Sequence, residues 1–286
     1  MKNRLPISIV IATLGGDTLI QTLKYLNKDN VIPDEIICVI PATKFLDNNI
    51  FNFENIKIIR TDFFGQVKQR IEGFKYVVND FVLQLDDDLD LGGDDIQKLL
   101  DQLIKLGPKN CLGPQMFDTT RNIYLYQIEK GWRKWESYFF EFLIGGSKFG
   151  ESRMGTISKS GINFGVDINK MNNVIFETEW LAGGCILYYK NDILLNNFYP
   201  FDGKAYSEDI IHSILLRKTG VRMWITKNVT CRLELPYSLS DTNNVKKIEQ
   251  VQIYINELLK NKIYRWRIRN YFLSFRKLIA NIIKIF

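Results

Sequence analysis

The sequence holds a single histidine, His212, and four scattered cysteines, Cys38, Cys111, Cys185 and Cys231, with no C-x-x-C pair among them. That usage argues against a disulfide scaffold and a zinc site, and it suits a reducing compartment. No run of eighteen apolar residues occurs, so no segment is expected to span a membrane. The N-terminus imitates a signal peptide, with Lys2 and Arg4 ahead of Ile7–Ala12. Its apolar part is short and no small-residue cleavage site follows, which fits a first strand better. Acidic residues almost vanish near the end of the chain. From Val245 onward only Glu249 and Glu257 oppose ten Lys and Arg, so this stretch carries +8 of a net +6 and leaves −2 for residues 1–244.

What is present is enough apolar material for a folded core, 46% of 286 residues, with 13% aromatics. The chain is therefore globular, with one good core or two small ones. Ile7–Thr13 is a continuous β-rich run, and Thr18–Leu26 follows it with helical periodicity, capped by Asp17 or Thr18. Strands are predicted at 35–40, 56–60 and 81–85, with amphipathic helices at 65–78 and 94–106. Strand and helix alternating at this spacing give β-α-β units and a largely parallel sheet.

After Gly107-Pro108 the character changes. A strand is expected at 110–117, then an aromatic segment at 124–142 and a glycine-rich loop at 145–165 carrying Lys148, Arg153 and Lys159. Such a long loop is usually functional or disordered. Buried structure resumes at Trp180–Tyr189. A helix at 207–219 is ended by Gly220, and two short strands are expected at 221–225 and 229–233. The organisation expected is one domain over 1–240, divided into halves at 1–107 and 108–240. A basic helical tail follows at 245–286. No internal repeat is visible.

The chemistry-bearing stretch is Phe81-Val82-Leu83-Gln84-Leu85-Asp86-Asp87-Asp88, a buried strand ending in three carboxylates. Carboxylates so crowded need a cation or a solvated mouth, and strand carboxyl ends are where open α/β sheets bind ligands. A calcium loop would need glycine at its sixth position and glutamate at its twelfth. Counted from Asp86 these are Leu91 and Gln97. A D-x-D-x-T phosphatase would carry its nucleophile on the first strand, and here Leu89 follows Asp88 on a late one. What remains is a D-x-D clamp holding Mg2+ or Mn2+ against a diphosphate. A purely structural alternative, an acidic helix start, is served by Asp94 and Asp95, a turn further on.

A second acidic site, Tyr206-Ser207-Glu208-Asp209, opens the helix at 207–219. Ser207 as N-cap with acids in the first turn is in itself a stability signature. The Phe201-Asp202-Gly203-Lys204 turn and the Gly183-Gly184 pair upstream tilt it towards a ligand site, since glycine lets a ligand approach the backbone. A carboxylate beside a metal-bound diphosphate could deprotonate a hydroxyl nucleophile.

ISIVIAT, the segment Gly65-Gln66-Val67-Lys68-Gln69-Arg70-Ile71-Glu72-Gly73, LQLDDD, WLAGGCILYY and FDGKAYSEDIIHSILLRKTG stand in the order and spacing of family 2 glycosyltransferases, which the chain resembles over roughly residues 5–235. The resemblance implies the GT-A fold, a Rossmann-type mixed, mostly parallel α/β sheet flanked by helices. It also implies a nucleotide-diphosphate sugar donor, a divalent metal (Mn2+ or Mg2+) and inversion at the anomeric carbon. Carried over residue by residue, it makes Asp88 the direct metal ligand, with Asp86 at the other outer position of the D-x-D. Asp87 or Asp86 would face the ribose or metal-bound water. Arg70 would lie near the donor, Thr13 at a nucleotide contact, and Asp209 would be the general base, with Glu208 its neighbour and fallback.

The chain departs from the family pattern in three places. Ile40-Pro41 stand where the family usually places a nucleobase-reading aspartate, and Cys231 and Arg232 stand near the place of a late histidine. Tyr264-Arg265-Trp266 lacks the glutamine of the processive Q-x-x-R-W motif, which points to one or few sugars per encounter. His212, on the helix after Asp209, reads as a packing or surface residue.

The acceptor implied is a glycan or lipid-linked oligosaccharide in bacterial surface polysaccharide synthesis, on the cytoplasmic face of the membrane. The aromatic segment and the glycine-rich loop are the places for an acceptor site or lid, where Lys148, Arg153 and Lys159 could close over the diphosphate; the aromatics would equally serve as the core of a second lobe. The basic tail suits an anionic membrane surface. A helix packed on the catalytic domain or a homodimer mate would also account for it. No nucleic-acid motif accompanies the charge. Two rival readings are a sugar nucleotidylyltransferase, whose G-x-G-x-R signature lacks its arginine at 13–17, and a catalytically degenerate glycan-binding scaffold.

Overall fold

The structure, a computed structural model, describes residues 2–126, 142, 153–201, 205–235 and 245–283. Two compact units are formed, one from residues 1–125 and 168–239 and the other from 126–167 and 240–286.

The first unit begins with β1 (Asn3–Ala12), α1 (Asp17–Lys28), β2 (Val31–Pro41), β3 (Ile56–Thr61), α2 (Gln66–Phe74) and β4 (Phe81–Leu85). It continues with β5 (Leu89–Asp90), α3 (Gly93–Leu106), β6 (Asn110–Asp118) and β7 (Ile123–Tyr124). β8 (Ile175–Thr178), β9 (Cys185–Tyr189), α4 (Glu208–Lys218) and β10 (Arg222–Leu233) complete it. The sheet runs β3-β2-β1-β4-β9-β6-β10-β5, with β7 beside β6 and β8 beside β10. β3, β2, β1, β4, β6 and β10 point one way. Among the described strands of five residues or more, β9 alone is reversed, antiparallel to both β4 and β6. The expected α/β architecture is the one found.

Continuous apolar runs form these strands because the central ones are covered on both faces. Ile9, Ile11, Ile36, Cys38 and Ile40 point into one cluster with Leu19 and Leu23 of α1 and Ile96, Leu99 and Leu103 of α3. The alternate residues Val10, Ile37, Val39 and Val82 face Phe74 of α2. Glycine at 73 lets α2 lie flat on that face, for a Cβ there would stand 2.5 Å from Val10 and 2.8 Å from Val39. The helix predicted at 65–78 ends at Phe74, and the two strands predicted at 221–225 and 229–233 are one strand, β10, whose register against β6 shifts between Thr226 and Thr230. All four cysteines are free and buried.

The second unit holds α5 (Val245–Leu258) and α6 (Tyr264–Ile283). Residues 153–165 of the glycine-rich loop make a tight turn, with a bridge between Ile157 and Asn163 and Gly161 at φ +75°. Gln252 of α5 donates to the carbonyls of Ser160 (3.2 Å) and Gly161 (3.1 Å), and Asn256 to Ser160 (3.5 Å). These bonds satisfy carbonyls that the turn cannot pair internally. They tie α5 to the loop.

Candidate active site

β1 and β4 are parallel neighbours, with Ile11 opposite Leu85, so Thr13 and Asp86–Asp88 leave the sheet side by side at its carboxyl edge. The Thr13 hydroxyl donates to Asp87 Oδ2 and accepts from Gly15 N at 2.9 Å. Partial burial pushes the Asp87 carboxyl up, against the Thr13 bond, and the Asp86 charge adds to the rise. Asp88, at the tip of the turn, is exposed.

The reversed strand β9 brings a further backbone segment to this edge. Leu85 pairs with Cys185, so Gly183-Gly184 sit beside the aspartates, and Gly184 O accepts from Asp86 N at 2.8 Å. Gln84, polar in an otherwise apolar strand, donates to Gly183 O and accepts from Tyr188 Oη at 3.3 Å.

α2 supplies three polar side chains from its first turns. Gln66 donates to Asp86 Oδ1 at 3.0 Å. Gln69 donates to Thr13 O (2.9 Å) and Val39 O (2.8 Å), fixing the helix start against the ends of β1 and β2. Arg70, only 3% exposed, forks between Asp86 Oδ1 and Glu208 Oε1, each at 2.5 Å. Burial works against the guanidinium charge, but Glu208 and Asp86 outweigh it and hold the pKa above its ordinary value. Gln66, Gln69 and Gln84 join the site with no role expected from the sequence. Of these only Gln84 carried a signal, being an amide inside a buried apolar run.

Glu208 is buried at the start of α4, and Asp209 beside it is pushed up to about 7 by burial first and the Glu208 charge second. Asp209 Oδ1 accepts from Ile210 N at 2.9 Å. Ser207 occupies the N-cap position without making a side-chain cap bond, and its backbone is left-handed at φ 52°. This is uncommon for a serine, and the capping role expected of it is not seen. The Gly183 backbone approaches closely, for a Cβ there would meet Glu208 Oε1 at 2.3 Å and Asp209 Cβ at 3.4 Å.

His212 is buried, stacked on Phe198 (5.7 Å) and edge-on to Tyr188 (5.9 Å), which makes it a packing residue. Burial, and then Arg70, lower its pKa to about 3, so it stays neutral. Cys231 is buried in β10, its thiol held far up by a hydrogen bond with Cys185 and by burial. Of the loop cations, Lys148 lies outside the described residues, as do 202–204 and the aromatics between Tyr126 and Phe142. The Arg153 guanidinium rests 4.9 Å from the Phe164 ring centroid, and Lys159 is exposed.

The structure thus joins Asp86, Arg70 and Glu208 directly, pairs Thr13 with Asp87, and leaves Asp88 facing out. Among the described residues, no group of three or more His, Cys, Asp or Glu side chains is placed to hold a metal. Carboxylates such as those of Asp86 and Asp88 are hard oxygen donors, the kind that suits a hard cation drawing the rest of its shell from phosphate and water.

Residues 8–169 match the family model described as glycosyl transferase family 2. Among solved structures the chain is similar to GalNAc-T7 with UDP, GalNAc and Mn2+, at 14% identity and TM-score 0.53, covering 80% of this chain and 44% of that one. It is also similar to S. aureus TarS 1-349 in complex with UDP-GlcNAc, at 13% identity and TM-score 0.56, covering 89% and 66%. A second structure of TarS 1-349 gives 14% and 0.53, covering 96% and 73%. At these identities the likeness shows the shared GT-A fold. No curated protein matches the sequence.

Proposed function

The chain belongs to glycosyl transferase family 2, and from that premise we propose that it moves a sugar from a nucleotide-diphosphate donor to a hydroxyl of a glycan or lipid-linked acceptor. The observation that carries this reading is the Arg70 fork, which links the aspartate turn at the sheet edge to the acid pair opening α4. Donor and acceptor ends of one displacement need such a fixed separation.

Thr13 and Asp87 hold the nucleoside end of the donor. Asp88 and Asp86 would hold Mn2+ or Mg2+, which when bound neutralises charge on the diphosphate. Asp209 takes the proton of the acceptor hydroxyl as that oxygen bonds to the anomeric carbon. The bond to the nucleoside diphosphate breaks, with inversion. A carboxylate whose pKa is about 7 is matched to that task near neutral pH. Glu208, committed to Arg70, positions the helix start. Structures similar to this chain hold UDP or UDP-GlcNAc, which makes uridine diphosphate sugars the first donors to test. The setting we propose is surface polysaccharide synthesis at the inner face of the cell membrane.

The test is donor hydrolysis and transfer across nucleotide sugars with Mn2+, comparing the unaltered protein with Asp209→Asn and Asp88→Asn. Metal-dependent turnover lost in both variants supports the reading. Inactivity towards every donor, with and without acceptor glycans, would favour a scaffold of the same fold.

A further inference from the structure

α5 and α6 differ in what they do with their apolar side chains. α5 buries Val251 and Ile255, together with the polar Gln252 and Asn256. α6 buries Trp266, 7% exposed, yet leaves Tyr264 (47%), Ile268 (43%), Tyr271 (72%), Phe272 (49%) and Phe275 (52%) open. At about 3.6 residues per turn these five fall within one arc of about 100°, with Trp266 on the opposite side. Isolated exposed apolar residues need no explanation, but a contiguous aromatic stripe does.

The charge around the stripe says what covers it. Between Tyr264 and Ile283 there is no Asp or Glu, while Arg265, Arg267, Arg269, Arg276 and Lys277 are present. By helical spacing Arg265 and Arg269 follow one border of the arc. On the other border Arg267 pairs with Glu249 of α5 at 2.9 Å, which fastens the helix without covering the stripe. A protein partner or a second copy would cover the aromatics without requiring this one-signed border. An anionic bilayer needs both, with aromatic rings at the acyl boundary and cations at the phosphates. No described helix is long and apolar enough to cross a membrane.

We propose that this face of α6 is a membrane-docking surface, lying in the interface of an anionic lipid bilayer. The proposal rests on the membrane-face setting given above and assigns it to named residues. It also places the enzyme on the surface where a lipid-linked acceptor would reside.

The experiment is co-sedimentation of the full chain with phosphatidylcholine vesicles, with and without phosphatidylglycerol, together with donor hydrolysis in solution. The expected result is salt-sensitive binding to the phosphatidylglycerol vesicles. In the Phe272→Ser/Phe275→Ser double variant binding falls by at least about tenfold, while hydrolysis is unchanged. If the unaltered chain binds and the double variant binds equally well, the face is wrong and the membrane setting survives. If neither binds anionic vesicles at low salt, both fail. Loss of a dimer, or of single-stranded RNA binding, in the double variant with no vesicle binding by either protein would give the face to another partner.

Discussion

Arg70 and Glu208 meet at 2.5 Å across 138 residues of chain. That bond, with its counterpart to Asp86, sets one cation between two carboxylates from different parts of the fold. Replacing Arg70 with Met leaves Glu208 buried and unpaired, and removing one member of such a set costs about 3–5 kcal/mol. Urea unfolding of Arg70→Met should therefore show a loss of that order together with abolished transfer. Arg70→Lys should restore part of the stability and little activity, because a compact ammonium lacks the rigid planar fork that sets the spacing of the two carboxylates. A loss under about 1 kcal/mol in Arg70→Met would mean the bridge contributes little beyond a surface pair.

Gly183 offers a test that leaves every charged group in place. A methyl group there would stand 2.3 Å from Glu208 Oε1, the oxygen that accepts from Arg70. The strain of inserting it is about 1–3 kcal/mol, relieved by moving Glu208. Gly183→Ala should keep its circular dichroism spectrum and lose most of its kcat. Gly184→Ala, whose methyl would lie 3.0 Å from Asp86 Oδ2, should act instead on KM for the donor. Equal, small effects on both constants in the two variants would detach the glycine pair from the site.

The elements of this site are legible in the sequence, and their connection is not. The alternation of apolar runs with amphipathic segments fixes the sheet, and β4 spans the residues expected of it. Asp86–Asp88 and Glu208-Asp209 stand out because carboxylates at a buried strand end and at a helix start are costly unless used. Nothing local announces that Arg70 reaches both, since its second partner is brought near only by the packing of α4. The reversal of β9, which sets Gly183 against Glu208, is likewise a pairing choice invisible in Cys185–Tyr189. Ser207 reads as an N-cap by residue type, but the left-handed turn points its side chain away from that role. The break seen between 225 and 229 is a register shift inside one strand, because a bulge and a turn use similar residues.

Asp209 and His212, one turn apart on α4, are displaced in opposite directions, and this sets the pH behaviour. Asp209 rises from 3.8 to about 7 through burial and the Glu208 charge. The fold keeps its proton where the unfolded chain releases it, so its contribution to stability is full below about pH 4 and is lost as pH rises towards 7. His212 falls from 6.5 to about 3 through burial and Arg70. Its contribution is full above 6.5 and is lost as pH falls towards 3. Between about pH 4 and 6.5 each slope is at most about 1.4 kcal/mol per unit, and the two cancel. Asp209→Asn removes one of them. Its stability relative to the unaltered protein should therefore rise with pH across this window, by about 1–2 kcal/mol between pH 4.5 and 6.5 in urea titrations. His212→Phe should show the reverse trend, and unchanged differences in both variants would contradict the opposed shifts. In catalysis the same group gives an independent reading. As the base, Asp209 must be ionised, so kcat/KM should climb with pH through an apparent pKa of about 7. A profile flat from about pH 6 to 8 would remove Asp209 from that role, because a carboxylate with its ordinary pKa is already ionised there.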